Sequence, residues 1–162
     1  MIRIFPALAL AAAIALAAGQ PLVAQAPAQT VKERQDTMEK LWPDFYQPMA
    51  RTIRSDSPDL ALVATSAANA GEALKKLAQL FPPGTGRDVV PKTRAKPEIW
   101  TQRSEFEATL TALTEATKTI GDVAKTGNVE KVKAEWVNLA KACGGCHGGP
   151  KKAGGKFRFE EE

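Results

Sequence analysis

Residues 129–147 read VEKVKAEWVNLAKACGGCH. Val129, Val132, Trp136, Leu139, Ala140 and Cys143 recur by threes and fours, the period that places side chains on one face of an α-helix. Cys146 and His147 continue that stripe, so the reactive end of the helix is expected to point inward. Cys143 and Cys146 are the two cysteines of the 162-residue chain and His147 is its one histidine. Cys-x-x-Cys-His is the attachment pattern of a c-type haem. Two thiols separated by two residues can each form a thioether with one haem vinyl group, and the following side chain offers an imidazole to the iron. Gly144 and Gly145 leave the intervening backbone unobstructed against the porphyrin edge. The expectation is one covalent haem c on Cys143 and Cys146, with His147 as metal ligand.

Other uses of the motif stand beside this one. A closed zinc site needs four protein ligands, and the chain has only these three cysteine and histidine side chains. A thiol redox pair sits where a strand meets the start of a helix, whereas this pair ends a helical pattern. A disulfide between Cys143 and Cys146 would suit an oxidising compartment and would make the chain a haem-free helical binding module.

Upstream, three more helical patterns precede this one, and no segment alternates as a strand does. Val31, Met38, Leu41, Phe45 and Met49 mark the first, with Thr30 as its expected N-cap. Pro43 lies inside it, which predicts a kink or break near Trp42. Leu60, Val63, Ala67, Ala70, Leu74, Leu77 and Phe81 form the second stripe, entered through Ser55-Asp56-Ser57-Pro58 and stopped by Pro82-Pro83-Gly84. Phe106, Leu110, Leu113, Thr117, Ile120 and Ala124 form the third, with Ser104 and Glu107 at capping-box spacing. Gly127 can end that helix and Asn128 can cap the next. Four amphipathic helices with a long second connection predict an all-α fold, an antiparallel four-helix bundle around covalently bound haem c.

The N-terminus sets the compartment. A basic start at Arg3, an apolar run from Phe5 to Ala18 and small residues at Gly19, Ala24, Ala26 and Ala28 read as a signal peptide. The expected layout is a signal over 1–26 with cleavage between 19 and 28, a cytochrome domain over 30–150 and a flexible tail over 151–162. The apolar run is shorter than the roughly 20 residues of a membrane span, so no span is expected after cleavage. Export to the periplasm also fits covalent haem attachment. The formal charge of +4 is small for 162 residues, and no basic patch is interleaved with aromatics, which argues against nucleic acid as a partner. No Ser/His/Asp or metal-carboxylate constellation supports an enzyme. Trp42 and Trp136 read as packing residues, and the lysines of the tail as a solvated end.

Taken together, these residues resemble the cytochrome c′ family. Glu33-Arg34-Gln35 is similar to that family's Arg-Gln pair beside the haem propionates, residues 93–100 (TRAKPEIW) to its approach to the third helix, and residues 124–128 (AKTGN) to its turn before the haem helix. The resemblance implies that Arg34 and Gln35 contact the propionates. It also implies that Met38, three residues after Gln35, faces the iron opposite His147. Family members commonly carry an apolar residue there and a five-coordinate iron, and a low-spin branch carries methionine as sixth ligand. Periodicity alone makes Met38 ordinary core packing, and Met49, about three turns further on, competes with it. After His147 the chain departs from the family, with Gly148-Gly149-Pro150-Lys151 where an aromatic and an arginine are usual.

Two functions follow from the sixth position. With Met38 bound, the protein is an electron carrier with His/Met ligation serving redox partner proteins, the expectation taken first. With Met38 unbound, a pocket lined by Val31, Met38 and apolar residues of the second helix admits small gaseous ligands such as NO or CO. The resemblance also implies a homodimer through the first two helices.

Overall fold

A computed structural model describes residues 26–148 and 154–160. Helix α1 (Pro27–Leu41) passes through one π-helical turn (Trp42–Tyr46) into α2 (Gln47–Ile53). Then come α3 (Leu60–Ala78), the single turn α4 (Glu98–Thr101), α5 (Arg103–Lys125) and α6 (Val129–His147). The joined α1 and α2, with α3, α5 and α6, form the antiparallel four-helix bundle. Among the described residues the β-structure is one isolated bridge, between Ala95 and Arg158. No helix among them is long and apolar enough to cross a membrane. The expected signal peptide lies outside the described residues.

Each stripe buries its expected face. Val63, Ala67, Ala70, Leu74 and Leu77 of α3 meet Phe106, Leu113, Ile120 and Ala124 of α5, and Val132 and Leu139 of α6 complete the core. Ala140, expected on the buried stripe, is exposed instead. Where α3 and α5 pass, a Cβ added at Gly121 would stand 2.9 Å from the Ala67 Cβ. That closeness needs the missing side chain.

Pro43 bends the register without ending the helix. It has no N–H to offer one turn back, so the Trp42 N–H bonds to the Glu39 carbonyl and the Gln47 N–H reaches the Trp42 carbonyl five residues away. One extra residue in the turn keeps the helix continuous past the proline. Tyr46, in that turn, stacks on Trp42 at 4.9 Å and meets Trp136 of α6 at 4.9 Å. Trp42 itself is 56% exposed, so it covers Tyr46 and is not a core residue.

The caps divide between expectation and correction. Asn128 Oδ1 accepts from the Lys131 N–H at 2.9 Å as expected, and Asp59 does the same for Leu62 at 2.9 Å. Thr30 does not cap α1, which begins at Pro27 behind Ala26 and buries Thr30 in its first turn. Ser104 lies inside α5, with no capping box, because Glu107 pairs with Arg103 at 2.7 Å.

The long connection between α3 and α4 is held by Arg34, which is 4% exposed. Its Nη1 donates to the Leu80 carbonyl at 3.2 Å and to Thr85 Oγ1 at 3.5 Å. Its Nη2 donates to the Thr85 carbonyl at 3.0 Å and to Thr93 Oγ1 at 3.0 Å. The guanidinium also lies 4.6 Å over the Phe81 ring. Burial lowers its pKa to about 10, so it stays charged at neutral pH.

The flexible tail expected after residue 150 is not what residues 154–160 form. Phe157 is 2% exposed and packs edge-on against Phe106 at 5.3 Å. The Lys96 N–H donates to the Phe157 carbonyl at 3.1 Å and the Phe159 N–H to the Arg94 carbonyl at 2.9 Å. Lys156 pairs with Glu105. An aromatic residue that fills the core outweighs the mobility expected of a glycine-rich approach.

Arg34→Ala is expected to lower stability by about 2–4 kcal/mol, because buried acceptors lose a charged donor. The measurement is the urea midpoint of the haem-loaded protein. Arg34→Lys should restore only part, since an ammonium cannot fork to three segments of chain. An unchanged midpoint in Arg34→Ala would remove the clasp from the account of this fold.

Candidate functional site

The CxxCH motif occupies the last turns of α6. Helical spacing puts Cys143 and Cys146 on one face, and both are half-buried against the core, as are Ala142 and Trp136 beside them. No disulfide joins the two sulfurs. Burial raises the pKa of both, and that of Cys146 reaches about 11 through burial and then the nearby Cys143. His147, half-buried, is the final helical residue, after which Gly148 turns the chain at φ 77° and bonds back to the Gly144 carbonyl at 2.8 Å. Gly145 faces α5: a Cβ there would stand 3.0 Å from Thr109 Cγ2.

These residues fit a haem. Two neutral thiols at adjacent turns, turned to apolar side chains, suit thioether formation with an apolar ring edge. An imidazole one residue on suits an iron that already has four nitrogen ligands in the ring. Among the described residues no three His, Cys, Asp or Glu side chains gather into a cage for a free metal ion, so zinc has no donor set here.

The remaining sequence candidates lie on α1 and α2. Met38 is half-buried and packs against the edge of the same apolar cluster as Cys143 and Cys146. Met49 is fully buried in α2, which makes it core packing and removes it as a competitor. Gln35 is half-buried one residue from Arg34. Arg34 departs from expectation: the terminal nitrogens thought to hold a propionate are bonded to Leu80, Thr85 and Thr93. Leu80, Thr85 and Thr93 are buried, and a forked cation satisfies their acceptors where water does not reach. The first two resemblance segments therefore meet each other, through Thr93.

Sequence reasoning missed Thr85, Thr93 and Phe157. The available signal for the last was the alternation Phe157-Arg158-Phe159, which is that of a short half-buried strand.

Residues 29–149 match the sequence pattern of the family described as Cytochrome C′. The chain belongs to the cytochrome c′ family. It is 29% identical over 123 residues to a cytochrome c′ of Rubrivivax gelatinosus, which spans 76% of this chain and 94% of that protein. The crystal structure of cytochrome c′ from Rubrivivax gelatinosus superposes with a TM-score of 0.67 at 26% identity, covering 82% of this chain and 96% of that one. A ferrous variant of the Alcaligenes xylosoxidans cytochrome c prime, solved with bound NO, gives a TM-score of 0.70 at 20% identity over 83% and 97% of the two chains. At that identity it speaks for the fold. Membership brings with it one covalently bound haem c, as the motif implied.

The raised thiol pKa values predict the behaviour of the haem-free chain. Because Cys146 titrates higher folded than unfolded, its contribution to stability is complete below about pH 9 and is lost as pH rises through about 11. At pH 8 its thiolate fraction should fall about a hundredfold below that of an ordinary thiol, which slows alkylation by iodoacetamide in proportion. Alkylation of the folded haem-free chain at the rate of the urea-unfolded chain would contradict this burial.

Proposed function

We propose that this protein is an exported haem protein that binds small neutral ligands such as NO or CO at an iron held on one side by His147. The observation that carries the proposal is the match to the cytochrome c′ family over residues 29–149, ending on the half-buried CxxCH motif of α6. It favours this reading over the His/Met electron carrier expected first. When bound, haem supplies an open coordination position for a diatomic ligand.

The chain's own residues do the rest. Cys143 and Cys146 anchor the ring covalently, which lets a small bundle keep its cofactor at any dilution. His147 presents its imidazole from a helix end whose backbone is bonded through Gly148. Val31, buried, and Met38, half-buried, lie on the face of α1 where an apolar wall disfavours charged or strongly hydrated ligands. Gln35 remains the propionate contact we propose, with Arg34 acting on the loop instead. The signal over 1–26, the domain over 30–150 and a periplasmic location complete the proposal. No catalytic residue is assigned.

One observation favours the electron-carrier reading as a second possibility. Met38, unlike Met49, is only half-buried at the edge of the core cluster, and a thioether there is a competent iron ligand.

The ferric resonance Raman spectrum at neutral pH separates the two. A high-spin, five-coordinate iron is expected, with CO and NO binding in the ferrous state. Met38→Ala should then keep the spin state and speed CO association several-fold by opening the wall. A six-coordinate low-spin spectrum that Met38→Ala converts to high spin would overturn the gas-binding assignment and establish His/Met ligation.

A further inference from the structure

We propose that residues 154–160 form a proximal clamp, in which Gly155 braces the backbone that carries His147 and Phe157 is the positioning residue. The inference rests on the reading of His147 as the iron ligand and deepens it.

The end of α6 needs external support. Among the described residues, the one backbone bond that closes its last turn from beyond the helix is that of the Gly148 N–H to the Gly144 carbonyl, and Gly144 and Gly145 each cost about 1 kcal/mol of helix propensity relative to alanine. A ligand on such an end would fray, yet a metal-bound imidazole must hold its direction within narrow limits. The strap meets this need at the motif itself. Gly155 runs so close to the Cys146 carbonyl, the Gly148 nitrogen and the His147 carbonyl carbon that a Cβ on it would overlap all three. Only glycine passes there.

The strap is in turn fixed to two other parts of the bundle. Lys96 Nζ donates to the Gly155 carbonyl at 2.7 Å, and the Gly155 N–H donates to the Arg158 carbonyl at 2.7 Å. Backbone bonds from Lys96 and Phe159 tie it to residues 94–96. Phe159 lies under the Arg87 guanidinium at 4.1 Å. Phe157 supplies the apolar anchor: its ring lies against Phe106, which lies against Phe81 at 4.8 Å. The path from the core to His147 therefore runs Phe106, Phe157, Gly155 and the backbone of residues 146–148.

The test uses the full-length haem-loaded protein and three variants: Phe157→Ala, Phe157→Leu and Gly155→Ala. The primary readout is the iron–histidine stretching band of the ferrous protein, with the CO dissociation rate beside it. A role confined to stability would lower the melting temperature and move neither. We expect Phe157→Ala and Gly155→Ala to shift and broaden the band and to change CO dissociation on the order of tenfold, as for other outer contacts of metal ligands. Phe157→Leu, which refills the core, should return both towards the parent values. If Phe157→Ala yields no haem-loaded protein, Gly155→Ala decides, since it keeps every side-chain anchor. An unshifted band in Gly155→Ala, or in Phe157→Ala where it folds, overturns the clamp. A parent protein with no iron–histidine band overturns instead the assignment of His147.

Discussion

The burial of one cation, Arg34, organises the half of the molecule that sequence periodicity leaves loose. The connection between α3 and α4 is largely exposed and pairs part of its own backbone, but the Leu80 and Thr85 carbonyls and the Thr93 hydroxyl are bonded by Arg34. A planar guanidinium can satisfy Leu80, Thr85 and Thr93 together because its N–H groups fork in fixed directions. Its face then packs on Phe81, the first of three aromatic rings that continue through Phe106 to Phe157. By holding Thr93, Arg34 also sets the position of residues 94–96, the edge along which the C-terminal strap bonds. First helix, long connection and strap thus share one electrostatic pivot.

The CxxCH site at the end of α6 is governed by burial more than by charge. Cys143 and Cys146 sit where apolar neighbours keep them as thiols, and His147 follows on the last helical residue. Helical periodicity alone brings the thiols to one face, which is why a five-residue motif suffices to specify a cofactor. What the motif does not specify is the opposite side of the iron. In the proposed reading α1 lines that side, and its phase relative to α2 depends on the π-turn at Pro43. The turn separates the two methionines into different roles, with Met49 sealed in the core and Met38 left at its margin.

Membership of the cytochrome c′ family and the bundle agree with the four stripes read from the chain. Where that reading departed from the structure, the departures share a cause. Thr30 and Ser104 have the right side chains for caps but sit one or more residues inside their helices, because Pro27 and Arg103 start those helices earlier. Arg34 matches a recurring motif, yet buried carbonyls in sequence-distant loops took its donors. Phe157 lies behind a run of glycines and lysines, and only the Phe106 face of α5 gives it somewhere to go.

The sequence by itself determined the local and periodic features: four amphipathic helices, the Asn128 cap, the CxxCH motif with its haem, and the family. Each depends on residues within a few turns of one another, where spacing translates directly into position. The tertiary structure alone decided which acceptors Arg34 serves, which methionine is core, how Pro43 is absorbed and that residues 154–160 fold back onto the end of α6. Apart from the local turn at Pro43, those outcomes turn on contacts between segments far apart in the chain, and there the competition for buried hydrogen bonds and apolar surface, not spacing, chooses the partner.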